Sequence, residues 1–258
     1  MSEVDIEAQN LEEIELLNQR GGRTLSVVDL INAGTLSVEA AAFIFCAVTH
    51  GESILMGARP GGAGKSTLLA TALGFLPPGE RLITTSSKTV IDRGLKHPPP
   101  GAECFLAHEI GSGHFYGYIW GSDVREFFSL MDADRRIASC LHADTADEAE
   151  DILIGAPLHV PRDLVHRLGL LGFMRVIDGA GGPIRRVSYL YGSGLRLAFR
   201  WRESDDLHEQ VAEPSAFGLR EEDFARATDF LGDLVAAGIH LFEAVRERVQ
   251  VFHHRHGR

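Results

Sequence analysis

Cysteine is scarce in this chain of 258 residues. Its three, Cys46, Cys104 and Cys140, sit in apolar runs without CxxC spacing, which argues against a zinc site or disulfide framework and points to buried thiols in a reducing compartment. Positive charge is short as well: 25 Lys and Arg face 36 Asp and Glu, a net charge of −11. Nucleic-acid binding rests on cations that displace counterions from phosphate, so no direct nucleic-acid partner is expected. No apolar run approaches the roughly 18 residues that span a bilayer. The opening Met-Ser-Glu-Val-Asp-Ile-Glu is acidic where a signal peptide is basic. The expectation is a cytoplasmic protein, with any association at the inner face of a membrane running through a partner.

Glycine, by contrast, is concentrated where it has a use. Ser53-Ile-Leu-Met-Gly-Ala-Arg59-Pro-Gly-Gly-Ala-Gly64-Lys65-Ser66-Thr67 reads as a short apolar strand, a glycine-rich turn and a helix start. Gly61, Gly62 and Gly64, with Ala63 between, let the backbone curl so that its N–H groups face an anion at a helix N-terminus, where the helix dipole is also positive. This is the phosphate cradle of a P-loop, with Lys65 reaching the β- and γ-phosphates, Ser66 ligating Mg²⁺ and Thr67 completing the motif. ATP with Mg²⁺ is the expected ligand pair. One motif position departs: Arg59 stands where the first glycine belongs.

Around that stretch the chain alternates strands and helices, which predicts an α/β fold. Leu11, Ile14 and Leu17 lie at helical spacing, and Ser37 caps a helix from Val38 to Thr49. After Ser53 to Met56, strands are expected at Arg81-Leu-Ile-Thr-Thr, Cys104 to Ile110 and Ile137 to Leu141. Residues 93–102 and 111–121 read as loops, with a helix from Ser122 to Met131. Thr145 with Glu148 forms a capping box for a helix to Leu153. Leu171 to Ile177, Arg185 to Tyr191 and Leu195 to Trp201 read as a small β-meander, followed by a polar loop. Helices Glu221 to Ala237 and Phe242 to Phe252 flank Gly238, and the tail His253-His-Arg-His256 reads as a solvated end. The division expected is a helical lead-in over 1–50, a nucleotide-binding core with the meander over 51–205, and a helical segment over 206–258.

With the P-loop, Leu106-Ala-His-Glu109-Ile and Cys140-Leu-His142-Ala-Asp-Thr placed, the sequence resembles the type II/type IV secretion ATPase family, close to its archaeal and tight-adherence pilus members, over residues 21–200. Leu25-Ser-Val-Val-Asp-Leu-Ile-Asn-Ala-Gly34 looks like the lead-in to the family's P-loop. His108-Glu109 stands where the family has Gly-Glu in its Walker B segment, and Leu141-His142 is similar to its His box. The resemblance implies a RecA-like P-loop NTPase core, a homo-oligomeric, hexameric ring, and a membrane-embedded platform protein of a secretion or pilus-assembly machine as partner. It further implies that Glu109 orients or deprotonates the attacking water, that His142 contacts the γ-phosphate, and that Lys65 is catalytic as well as binding.

Departures from the family pattern weigh on hydrolysis. The acidic box expected after the second strand is Thr84-Thr-Ser-Ser87, the arginine expected two residues after Glu109 is Gly111, and the N-terminal region is read as reduced to residues 1–50. Arg125, Arg135 and Arg136 are candidates for a cross-subunit arginine. The leading reading is a secretion or pilus-assembly ATPase. A nucleotide-binding regulatory or assembly subunit with weak or no hydrolysis is the alternative. No Leu-Ser-Gly-Gly-Gln signature supports a transporter ATPase.

Overall fold

A computed structural model describes residues 2–18 and 21–256. Among the described residues nine strands form one mixed, mostly parallel sheet with helices on both faces. In chain order the strands are β1 (Ser53–Gly57), β2 (Arg81–Thr84), β3 (Glu103–Ile110), β4 (Tyr118–Ile119), β5 (Arg135–Leu141), β6 (Leu168–Gly179), β7 (Gly182–Gly192), β8 (Arg196–Arg202) and β9 (Leu207–Gln210). Their spatial order is β2-β3-β5-β1-β6-β7-β8-β9, with β4 beside β3. Strands β2, β3, β5, β1 and β6 pair in parallel, and β6 to β9 continue as an antiparallel meander.

Strand β1 lies in the middle of the parallel part and is buried along its whole length, as a strand covered on both faces must be. One face packs on α1 (Glu3–Leu16), α2 (Val27–Asn32), α3 (Val38–Thr49), α4 (Lys65–Leu73), α9 (Glu221–Ala236) and α10 (Phe242–His256). The other packs on α5 (Lys88–Lys96), α6 (Ser122–Phe128), α7 (Ala146–Ile154) and α8 (Arg162–Val165). Helix α3 is buried from Ala40 to Val48, with Phe43 edge-on to Phe217 and Phe45 against Phe75, Phe230 and Phe252. Its start is fixed as its sequence dictates: the Ser37 hydroxyl accepts from the Ala40 N–H at 3.2 Å. No helix is long and apolar enough to cross a membrane among the described residues.

Buried arginines tie the helices to the sheet. Arg136 of β5 donates to Glu80 at 2.6 Å and to the Val48 carbonyl at 2.5 Å. Arg246 of α10 pairs with Glu7 of α1 at 2.7 Å and reaches the carbonyls of Gly74 and Leu76. Arg125 donates to the Leu158 carbonyl at 2.6 Å and Arg135 pairs with Asp132 at 2.9 Å. All three candidate cross-subunit arginines are therefore engaged inside the chain, and Arg136 is buried.

Several expectations are corrected. Residues 93–96 are helical, the end of α5, whose buried face is Ile91 and Gly94; only the proline run after them is loop. The loop 111–121 carries β4, and the polar stretch after Trp201 carries β9. The meander, expected with the core, extends the main sheet through the pairing of β6 with β1 from Ser53↔Leu168 to Gly57↔Phe173. At Thr145 only half of the capping box forms: its hydroxyl accepts from Glu148 N–H, while the Glu148 carboxylate turns to the Asp144 N–H. His253 is not solvated: it is buried, bonded to the Phe75 carbonyl at 3.0 Å and stacked on Phe45. No cluster of His, Cys, Asp or Glu able to hold a metal ion occurs among the described residues.

Candidate functional site

The carboxyl ends of β1, β3 and β5 meet at one edge of the sheet, where parallel α/β architectures hold their ligands. Gly57 closes β1. A Cβ there would lie 2.5 Å from the Phe173 ring and 2.6 Å from the Ala143 carbonyl, so the chain can turn under its neighbours only as glycine. The loop then enters α4 through Gly64, whose φ of +105° lies in the left-handed region. No side chain caps α4, so its first-turn N–H groups stay open to an anion.

Lys65, Glu109 and His142 converge on that opening. Lys65 Nζ lies 3.6 Å from Glu109 Oε2, and His142 Nε2 lies 3.6 Å from Glu109 Oε1. Lys65 and Glu109 are buried, while His142 is about half exposed. His142 Nδ1 is 2.9 Å from the Arg59 carbonyl and 3.4 Å from Lys65 Nζ. A carbonyl only accepts, so Nδ1 carries the proton toward Arg59 and the lysine approach is a close contact without a hydrogen bond. Nε2, across the ring, faces Glu109. Burial pushes the Glu109 carboxyl above its ordinary value, with the Lys65 and His142 charges opposing it, and Oε1 has no hydrogen-bond partner. An unpartnered buried carboxylate oxygen beside a lysine suits a proton acceptor.

Arg59, the motif departure, has a structural role. Its main-chain N–H donates to Asp144 at 2.7 Å and its guanidinium to Glu148 at 2.7 and 3.1 Å. It fastens the glycine loop to the turn between β5 and α7. Glu148 is thereby held below the usual carboxylate range, first by the Asp144 N–H and then by Arg59.

Gly61, Gly62, Ala63, Gly64, Lys65, Ser66 and Thr67 line a cleft of about 530 Å³ together with Glu109, His142, Tyr118, Met174 and Arg185. Sequence reasoning missed the last three. Tyr118 faces Glu109 through the β3–β4 pairing, and Arg185 donates to the Gly62 carbonyl at 3.2 Å from a strand 123 residues away. His108, beside Glu109, is buried against Gly117 and Tyr116; neither ring nitrogen has a partner, and burial pushes it down to about 4, so it is neutral. A second concavity of about 600 Å³, between α3, α9 and α10, contains none of these residues.

The open helix N-terminus, the left-handed Gly64 and the orphaned Glu109 oxygen fit a polyphosphate ligand, and Ser66 at the start of α4 is the hydroxyl that would hold its metal. No known family profile matches the chain. It is 23% identical over 236 residues to the uncharacterized protein MJ0900 of Methanocaldococcus jannaschii, a match taking in 80% of this chain. The chain spans 42% of that relative's length. Among solved structures it is similar to the VirB11 ATPase of the Brucella suis type IV secretion system in complex with sulphate, at 16% identity and a TM-score of 0.42, covering 63% of this chain and 53% of that one.

Proposed function

We propose that this chain binds MgATP on the Gly61–Thr67 loop and hydrolyses it, as the RecA-like motor of a secretion or pilus-assembly system. The observation that carries the reading is the convergence of Lys65, Glu109 and His142 on the open N-terminus of α4. The wider assignment, including a hexameric ring, a membrane platform partner and the three-part division at residues 50 and 205, follows from the resemblance of the sequence motifs.

Phosphoryl transfer depends on positioning and charge neutralisation more than on covalent help. Ser66 would hold Mg²⁺, which would supply positive charge against the phosphate tail. Lys65 releases Glu109 as it turns to the γ-phosphate, freeing the carboxylate to take a proton from the attacking water. The new bond joins water oxygen to the γ-phosphorus, the bond to the bridging oxygen breaks, and ADP leaves with the electron pair. His142, held by the Arg59 carbonyl, keeps Nε2 facing the same space, where it contacts the γ-phosphoryl group.

A regulatory subunit is favoured by one observation: Thr84 to Ser87, at the end of β2, supply no carboxylate. Phosphate release from MgATP by the wild type beside Glu109→Gln separates the two readings. A motor turns over at least about 100-fold faster than the variant, the usual cost of losing one transition-state group. Equal rates with ATP binding retained leave the regulatory reading.

A further inference from the structure

A nucleoside triphosphate brings up to four negative charges, yet most cations around the cleft are already paired. Arg23 is bidentate on Asp29 at 2.5 and 2.7 Å, Arg59 is held by Glu148, and Lys65 lies beside Glu109. Arg185 differs. Among the described residues it has no carboxylate within ion-pair distance, and its side chain is exposed to the cleft. Its orientation follows from strand alternation. Arg186, next in β7, turns to the opposite face and pairs with Asp206 at 2.7 Å, which leaves Arg185 over the glycine loop. There Arg185 Nε donates to the Gly62 carbonyl, and Cδ lies 3.6 Å from where a Cβ on Gly64 would stand. A guanidinium can hold one acceptor through Nε while its two terminal nitrogens fork onto another, which lysine cannot do.

We propose that Arg185 is a phosphate-binding residue of this cleft, its terminal nitrogens engaging the polyphosphate tail while its Nε holds the Gly62 carbonyl. The proposal rests on the nucleotide-binding reading and adds to it an intrasubunit cation, delivered by the meander. It also gives the β6–β7 hairpin a task at the site.

The test is calorimetric titration of wild type and of Arg185→Ala, Arg185→Lys and Arg185→Gln with MgATP and with inorganic tripolyphosphate, at two salt concentrations. Losing a charged hydrogen bond to phosphate weakens ATP roughly 10- to 100-fold in the Ala and Gln variants, with Lys recovering part of the loss. The wild-type affinity falls more steeply with salt than that of Arg185→Ala. Melting temperatures without ligand, close to wild type in all three, separate phosphate contact from a mere strap on the loop. Wild-type affinity in every variant, or recovery by Gln equal to that by Lys, overturns the proposal. Arg185-dependent binding of tripolyphosphate without binding of ATP would retain the proposal and reject the nucleotide reading. Binding of neither ligand by the wild type rejects both.

Discussion

Glu109 and Lys65 neutralise each other in a buried position, and desolvation is the larger influence on the carboxyl. A carboxyl whose native value is raised binds its proton more tightly folded than unfolded. It therefore costs stability as pH rises from about 4.5 through the native value, and the full cost is present above it. Glu109→Gln should thus melt higher than wild type at pH 7, by ~2–4 °C for each 1 kcal/mol recovered at this chain size. A lower melting temperature would mean that the attraction of Lys65 outweighs the desolvation. Arg59→Gly, which restores the P-loop consensus, should lower stability by only about 0.2–1 kcal/mol, because the Arg59–Glu148 pair is largely exposed. Urea denaturation checks this, and a loss several times larger would make Arg59 indispensable to the loop. Lys65, Glu109 and His142 were legible in the sequence because each ends a short apolar strand or begins a glycine-bounded helix. Glu148 as the partner of Arg59, and Arg185 as a wall of the cleft, were not. Their contacts join residues 89 and 123 positions apart, and no local pattern encodes them.

At the level of elements, the ends of α3 and the positions of β1, β2, β3 and β5 follow from caps and apolar runs that each element carries itself. The structure departs from the sequence reading where tertiary contacts supply what local signals lack. Helix α5 contains Gly94, a poor helix residue, yet a Cβ there would strike Leu130 and Phe105 at 2.7 Å, so close packing selects it. Strand β9 is polar and short, and exists because β8 offers it a ladder from Phe199↔Gln210 to Arg202↔Leu207. The tail of α10 looked solvated by composition, but Arg246 and His253 insert between α1 and the turn after α4. Buried ion pairs of this kind are costly to break on one side. Arg136→Ala, which strands Glu80, should destabilise the protein by about 3–5 kcal/mol. Chemical denaturation of the ligand-free chain measures it, and a loss below about 1 kcal/mol would mean that water reaches Glu80 freely.

Across the whole molecule, two buried histidines set the response to acid. His108 and His253 are both pushed down to about 4 by burial, from an ordinary 6.5. The unfolded chain binds these protons first, so their contribution is fully present above pH 6.5 and is lost as pH falls toward 4. Glu52 and Glu109, both raised by burial, act with the opposite sign, while His208 is lowered by burial like His108 and His253. The melting temperature should therefore drop between pH 6.5 and 4.5. His253→Gln, which keeps a donor for the Phe75 carbonyl, should flatten that drop; an unchanged slope would contradict the assignment. In a protein with a net charge of −11, the proposed nucleotide binding has to rest on local cations and open N–H groups at the cleft. Calorimetric titration of MgATP into the wild type and into Lys65→Ala tests it most directly. Saturable binding by the wild type is expected, with an affinity at least about 10- to 100-fold weaker in the variant. Equal affinities, or no binding by the wild type, would contradict it.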